Sequence, residues 1–203
     1  MKIRVTHYEE VLGSASADPE LHAKWIASKS MDAEKMKEEM EGLSDEERHE
    51  KKMTVFHKDA DGNPFVWDYQ WKGFFKEQFG TLTDVLLPKQ VMIGKTKLTK
   101  YTYKRVVDRM LFVFPRKIKL NMPEGGEIGT CQRPLRADTP RGERVALATS
   151  ESVPAGTTVE IEIECLRPEL NELVVKSLNL GKMAGWGQWR NSGKGRFTWE
   201  EIE

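Results

Sequence analysis

Long apolar runs are missing from this sequence, and no stretch approaches the roughly 20 apolar residues that a membrane-crossing helix needs. The opening MKIRVTHYEE has no apolar core of the kind a secretory leader carries, so a cytoplasmic protein is expected. Cysteine is scarce. Cys131 and Cys165 stand far apart without metal-ligand spacing, which argues against zinc and fits two buried small residues in a reducing compartment. His7, His22, His49 and His57 form no His-Glu-x-x-His pattern, and neither a Walker loop nor a dinucleotide fingerprint is present. No cofactor and no metal are expected. No segment repeats at solenoid periods. Net charge is absent as well, with 32 basic and 32 acidic residues, whereas nucleic-acid-binding domains usually carry a basic excess.

What is present is charge segregation. Between Pro88 and Leu120 ten lysines and arginines face a single acid, Asp108. Between Met31 and Lys52 the acids outnumber the bases. The pattern implies a basic face and an acidic helical insertion at about 18–52, or two solvated faces with no partner.

The apolar periodicity supplies the elements. Lys2 to Tyr8 alternates as a strand, and Asp18 followed by Pro19 starts a helix carrying Leu21, Trp25 and Ile26. MTVFHKD and PFVWD read as strands joined by an Asp-Gly turn. His57, Asp59 and Asp61 there fit an acid/base cluster or, more simply, a charged turn. YQWKGFFKEQFG returns to helical period with Phe74, Phe75 and Phe79 facing inward. Gly73 inside that helix costs about 1 kcal/mol against alanine, which suggests close packing or a close ligand. Residues 83–104 are ambiguous, and RMLFVFPRKIKL reads as a strand broken at Pro115. Val145–Glu151 and Thr157–Cys165 are strands around the turn VPAG. Leu170, Leu173, Val174 and Leu178 mark a helix, and Phe197, Trp199 and Glu201 a final strand. The order predicts one α+β domain over 1–203, with a ferredoxin-like antiparallel sheet and helices on one face.

Two segments carry candidate binding chemistry. In GWGQWRNSGKGRFTWEEIE the glycines free the backbone to approach a phosphate, Arg190, Lys194 and Arg196 supply charge, and Trp186 or Trp189 can stack on a base. The plainer alternative makes Trp186, Trp189 and Phe197 core residues and the glycines a tight crossover. In CQRPLRADTPRGERVAL, residues Arg133, Arg136, Arg141 and Arg144 cluster in a Pro- and Gly-marked segment, which also suits an ordinary solvated hairpin.

Three stretches in order resemble the RAMP superfamily: DGNPFVWDYQWKGFFKE, SESVPAGTTVEIEIE and GWGQWRNSGKGRFTWEE. The similarity is greatest to the backbone subunit of type III CRISPR effector complexes, which coats guide RNA. The resemblance implies a RAMP core of ferredoxin-like or RRM-like type, a thumb-like hairpin at about 121–146, and a phosphate contact from Lys72 at the start of a helix. It also implies RNA and further protein subunits, or copies of the same chain, as partners. Where the family carries Pro-Gly-Ser-Ser before Lys-Gly, this chain has Trp67, Asp68, Tyr69, Gln70 and Trp71. The family's RNA-cleaving aspartate falls in the region of the acidic insertion, where Asp32 has no supporting motif. An RNA-binding protein is therefore expected. A mobile-element protein binding single-stranded nucleic acid or a host defence protein is the alternative, and an endoribonuclease the second.

Overall fold

The structure is a computed structural model that describes residues 1–18, 20, 22, 53–86, 91–139 and 142–203. In chain order the strands are β1 (Lys2–His7), β2 (Val11–Leu12), β3 (Ala15–Ser16), β4 (Thr54–Val55), β5 (His57–Lys58), β6 (Pro64–Trp67), β7 (Val91–Ile93), β8 (Thr96–Leu98), β9 (Leu111–Phe114), β10 (Lys117–Lys119), β11 (Gly129–Thr139), β12 (Gly142–Val153), β13 (Thr158–Cys165) and β14 (Phe197–Ile202). Three α-helices are described: α1 (Asp68–Thr81), α2 (Tyr103–Met110) and α3 (Glu169–Ala184).

The central sheet has the order β14-β1-β13-β9, with every neighbouring pair antiparallel. Read with α1 and α3, this is a βαββαβ path whose strands lie in the spatial order fourth, first, third, second, the split-βαβ arrangement. Alternation decides the faces. Ile3 and Val5 of β1, Val159, Ile161 and Ile163 of β13, Leu111 and Val113 of β9, and Phe197 of β14 all enter one core. The helices close it from one side, through Trp71, Phe74, Phe75 and Phe79 of α1 and Leu170, Leu173, Val174 and Leu178 of α3. The four residues expected on the inward stripe of α3 are all buried, together with Ser177 and Gly181. Where α1 meets α3, Gly181 is required by packing. A Cβ there would lie 2.5 Å from Phe74 Cζ and 2.6 Å from Phe197 Cζ.

The opposite face of this sheet is polar, and its charge bears on function. Glu160, Glu162, Glu164 and Glu200 lie there with Lys2 and Arg4. The Arg4 guanidinium is held 2.8 Å from Glu160 and 3.3 Å from Glu200. Phe112 and Phe114 are exposed on the same face and pair across the strands with Glu164 and Glu162.

Insertions elaborate the core. β10-β6-β5 form a small sheet whose Asp-Gly turn is organised by Asp59, which accepts hydrogen bonds from the Asn63 (2.8 Å) and Asp61 (3.1 Å) amides. Those bonds hold its carboxyl below the usual range. The segment 59–63 thus forms a charged turn. Among the described residues no group of three or more His, Cys, Asp or Glu is placed to hold a metal. β11 and β12 form a long hairpin, to whose base β2 and β4 pair. It spans 129–153 rather than 121–146, because the loop 121–128 leads into it and β12 continues to Val153. At that base Glu151 is buried. Its carboxylate accepts the Phe56 amide at 2.8 Å and pairs with Lys58 at 3.0 Å.

The ambiguous stretch 83–104 contains a π-turn (Leu82–Leu86), the β7–β8 hairpin and the start of α2. Of the acidic insertion only residues at its start are described. Asp18 accepts the Glu20 amide at 2.9 Å, as an N-cap does. Asp32 and the rest of 23–52 lie outside the described residues. No helix among the described residues is long and apolar enough to cross a membrane.

Candidate nucleic-acid interface

The glycine loop is built mainly to pack on itself. Gly185 (φ 74°) and Gly195 (φ 70°) are buried where the two ends of the loop cross. A Cβ on Gly195 would fall 1.8 Å from the Trp186 carbonyl oxygen, and one on Gly185 would fall 2.6 Å from that of Lys194. The Trp186 amide donates to the Gly195 carbonyl at 2.9 Å across this crossing. Only left-handed residues without side chains allow so close a pass. Gly187 is the exposed glycine of the loop.

Trp186, expected as a possible stacking residue, is a core residue. It is 4% exposed and lies 5.0 Å from Trp71 with the rings 10° from parallel. His7 borders it and donates through Nδ1 to the Gly195 carbonyl at 3.2 Å, a bond that fixes the tautomer. Trp189 differs. It adopts a left-handed conformation (φ 55°), stays half-buried, and lies beneath Arg133, whose guanidinium carbon is 5.6 Å from its ring.

The loop cations are largely engaged. Arg190 contacts Glu77 of α1 at 2.7 Å, and Lys194 pairs with Glu10. The hydrogen bond that the Lys194 ammonium donates to Glu10 raises its pKa above the ordinary value. Sequence reading counted these as two available positive charges. Their carboxylate partners lie far away in the chain, and no local signal marks the pairs. Arg196 is exposed and spends its Nε on the Met183 carbonyl at 3.1 Å.

Arg133 of β11 is brought to this loop. Its Nη2 donates to Gln188 Oε1 at 2.7 Å, while Gln188 Nε2 donates to the Gly13 carbonyl at 3.0 Å. The Nε and Nη1 groups of Arg133 are buried and have no acceptor among the described residues. An unpaired buried N–H typically costs 1–3 kcal/mol, and more on a charged group. Arg133, Trp189, Arg190 and Arg196 together line a cleft of about 730 Å³ between the hairpin and the loop.

The remaining expected residues are not assembled there. Arg136 is exposed further out on β11, on the opposite hairpin face from Arg133 by strand alternation. Arg144 is on β12 with its side chain outside the described residues, as is the whole of Arg141. Lys72 turns to the α2–β9 side, donating to the Asp108 carbonyl at 3.0 Å and lying 4.9 Å from the Phe112 ring. Burial lowers its pKa, with Asp108 opposing the shift. Sequence reading missed Gln188 and Glu77, which hold Arg133 and Arg190.

No known family's sequence model matches this chain, and no curated protein matches it. The fold, however, has a solved counterpart. A chain from the cryo-EM structure of the Type III-B Cmr-beta bound to cognate target RNA superposes on 100% of this chain with a TM-score of 0.56 at 9% identity. At the level of fold, this chain is similar to that one. It spans 58% of the counterpart's length. A chain from a Type IV-B CRISPR complex aligns with 98% of this chain and 88% of its own, with a TM-score of 0.44 at 11% identity.

Proposed function

We propose that this protein binds single-stranded RNA in the cleft between the β11–β12 hairpin and the 185–196 loop, as a RAMP-type subunit of a CRISPR-like effector assembly. One observation carries the reading: the Nε and Nη1 groups of Arg133 find no acceptor among the described residues and lie beside the half-buried ring of Trp189. A phosphate oxygen satisfies such a guanidinium, and an aromatic next to it offers a stacking surface for the attached nucleoside. Arg196 extends the positive rim, and Arg190 joins it when Glu77 is displaced or neutralised. The fold similarity to a chain of an RNA-bound Cmr-beta and the resemblance of three sequence stretches to the RAMP superfamily support the same reading.

The open face of the central sheet does not serve RNA here. Four glutamates against two cations repel phosphate on that face, unlike the aromatic and basic platform of an RRM. Its exposed Phe112 and Phe114 among carboxylates suit a protein neighbour, which fits a role inside an assembly.

Fluorescence anisotropy with a labelled single-stranded RNA across a salt series tests the proposal. Arg133→Ala is expected to weaken binding about tenfold and to reduce the slope of log K against log salt by about 0.7, one phosphate's share on a single strand. Unchanged affinity and slope would remove Arg133 from the interface and the reading with it.

A further inference from the structure

Beside the Arg133 cleft lies a second, smaller one of about 260 Å³, and the two share Glu77, Gly187, Gln188 and Arg190 as a common wall. Its apolar side is formed by Leu12, Phe56, Val66, Phe74 and Trp186. Its polar rim is held in fixed orientations by the fold. Gln70 Oε1 accepts the Trp67 amide at 2.8 Å while its Nε2 donates to Ser14 Oγ at 2.7 Å. Gln188 is fixed in the same manner, between Arg133 and the Gly13 carbonyl. Each amide therefore keeps one N–H and one acceptor position for something else.

Gly73 sits on the same wall, one turn of α1 from Gln70 and one from Glu77. Nothing among the described residues explains it. Its φ is not left-handed, it is exposed, and a Cβ there would meet no atom of the described residues within 4 Å. A mid-helix glycine with free space around it costs about 1 kcal/mol without any return inside the chain. Gly181, by contrast, is accounted for by its collision with Phe74 and Phe197. Among the described residues none requires the missing side chain at Gly73, whereas a flat ring lying in the cleft against the helix does.

We infer that the smaller cleft is a nucleobase site: a single planar ring system lies against Gly73 and the aromatic wall, read by Gln70, Gln188 and Glu77, while its phosphate falls in the neighbouring arginine-lined cleft. The volume lies just below the roughly 300 Å³ at which drug-sized pockets begin, so it holds one base and not a whole nucleotide. A flat heterocycle joined to an anion is the ligand whose two halves match two adjoining clefts, one aromatic and amide-rimmed, the other lined with guanidinium groups. The site rests on the nucleic-acid reading above and adds to it a base preference, which phosphate contacts alone do not give.

The test uses Gly73→Leu, which fills the cleft from a helix position without removing any polar partner, and Gly73→Ala as a control for folding. Binding of the four 5′-mononucleotides and the four homopolymeric oligoribonucleotides is titrated against each form of the full chain, and each melting temperature is recorded. The expected result is that Gly73→Leu weakens at least one mononucleotide and its homopolymer tenfold or more with its melting temperature kept. If Gly73→Leu does not fold, Gly73→Gln fills the same space with a flexible side chain. Homopolymer binding that Gly73→Leu leaves unchanged overturns the base site and leaves the RNA reading standing. Mononucleotide binding lost in Gly73→Leu, with no oligonucleotide binding by the wild type, supports the base site and overturns the RNA reading. No binding of any probe overturns both.

Discussion

Replacing Gly181 and Gly73 by alanine, one at a time, should move stability in opposite directions. Both glycines sit inside α-helices, so helix propensity alone favours alanine by about 1 kcal/mol at each. At Gly73 that gain is free, because no atom of the described residues lies within 4 Å of the new Cβ. At Gly181 the Cβ enters at 2.5 Å from Phe74 Cζ, 2.6 Å from Phe197 Cζ and 2.9 Å from Phe74 Cε2. Edge contacts of Phe74 with Trp71, Phe75 and Phe197 restrict how far the two rings can retreat, although Phe74 borders the smaller cleft on another side. Overpacking of this kind typically costs 1–3 kcal/mol, and carbon atoms this close place the change at the upper end. Offset by propensity, Gly181→Ala should be about 1–2 kcal/mol less stable than wild type and Gly73→Ala about 1 kcal/mol more stable. For a chain of this size 1 kcal/mol corresponds to about 2–4 °C in Tm. Urea titration followed by tryptophan fluorescence measures both, with the midpoint moving and the slope constant. A Gly181→Ala protein at least as stable as wild type would refute the close α1–α3 crossing from which the sign was worked out.

Releasing a masked cation should strengthen nucleic-acid binding. Glu10→Gln frees Lys194, and the anisotropy salt slope is expected to steepen by about 0.7. For the same reason Arg190→Ala with Lys194→Ala should cost less than two phosphates' worth of slope, since both cations begin in ion pairs. Glu151→Leu leaves the Phe56 amide and Lys58 without their buried acceptor, and denaturant titration should show a loss of about 2–4 kcal/mol. The His7 imidazole is lowered by burial to a pKa of about 4, against 6.5 when exposed. The unfolded chain therefore binds more protons between pH 6.5 and 4. The His7 share of stability should fall as pH drops through that window, by on the order of 3 kcal/mol, and because burial lowers His22 to about 4 as well, His7→Leu should remove part of the dependence seen in urea titrations at pH 7 and 5.

Sequence reading found the elements whose pattern is local and periodic. The strand at Lys2, the helix carrying Phe74, Phe75 and Phe79, the stripe on α3 and the closing strand all lie where alternation or a 3.6-residue period placed them. The segment 83–104 resisted because its pieces are too short to hold a period. The site was legible only as a list of ingredients. Arg133 and Trp189 were both named, but their meeting depends on a hairpin and a loop some fifty residues apart, bridged by a glutamine that no motif marks. Trp186 and Trp189 look equivalent in sequence. Burial separates them, because Trp71 on another element fills the space beside one of them and not the other.

The placing of β1 has a consequence for how the chain is made. It lies inside the central sheet, yet both strands that flank it belong to the second half of the chain: Ile3 pairs with Ile161 on one side and Glu201 on the other. During synthesis β1 leaves the ribosome before both of its partners and waits, with Ile3 and Val5 lacking their neighbouring strands, until β13 and then β14 have emerged. Everything between β1 and β13 must be translated before those two side chains find permanent cover, so a nascent chain arrested before β13 should be a ready client for chaperones.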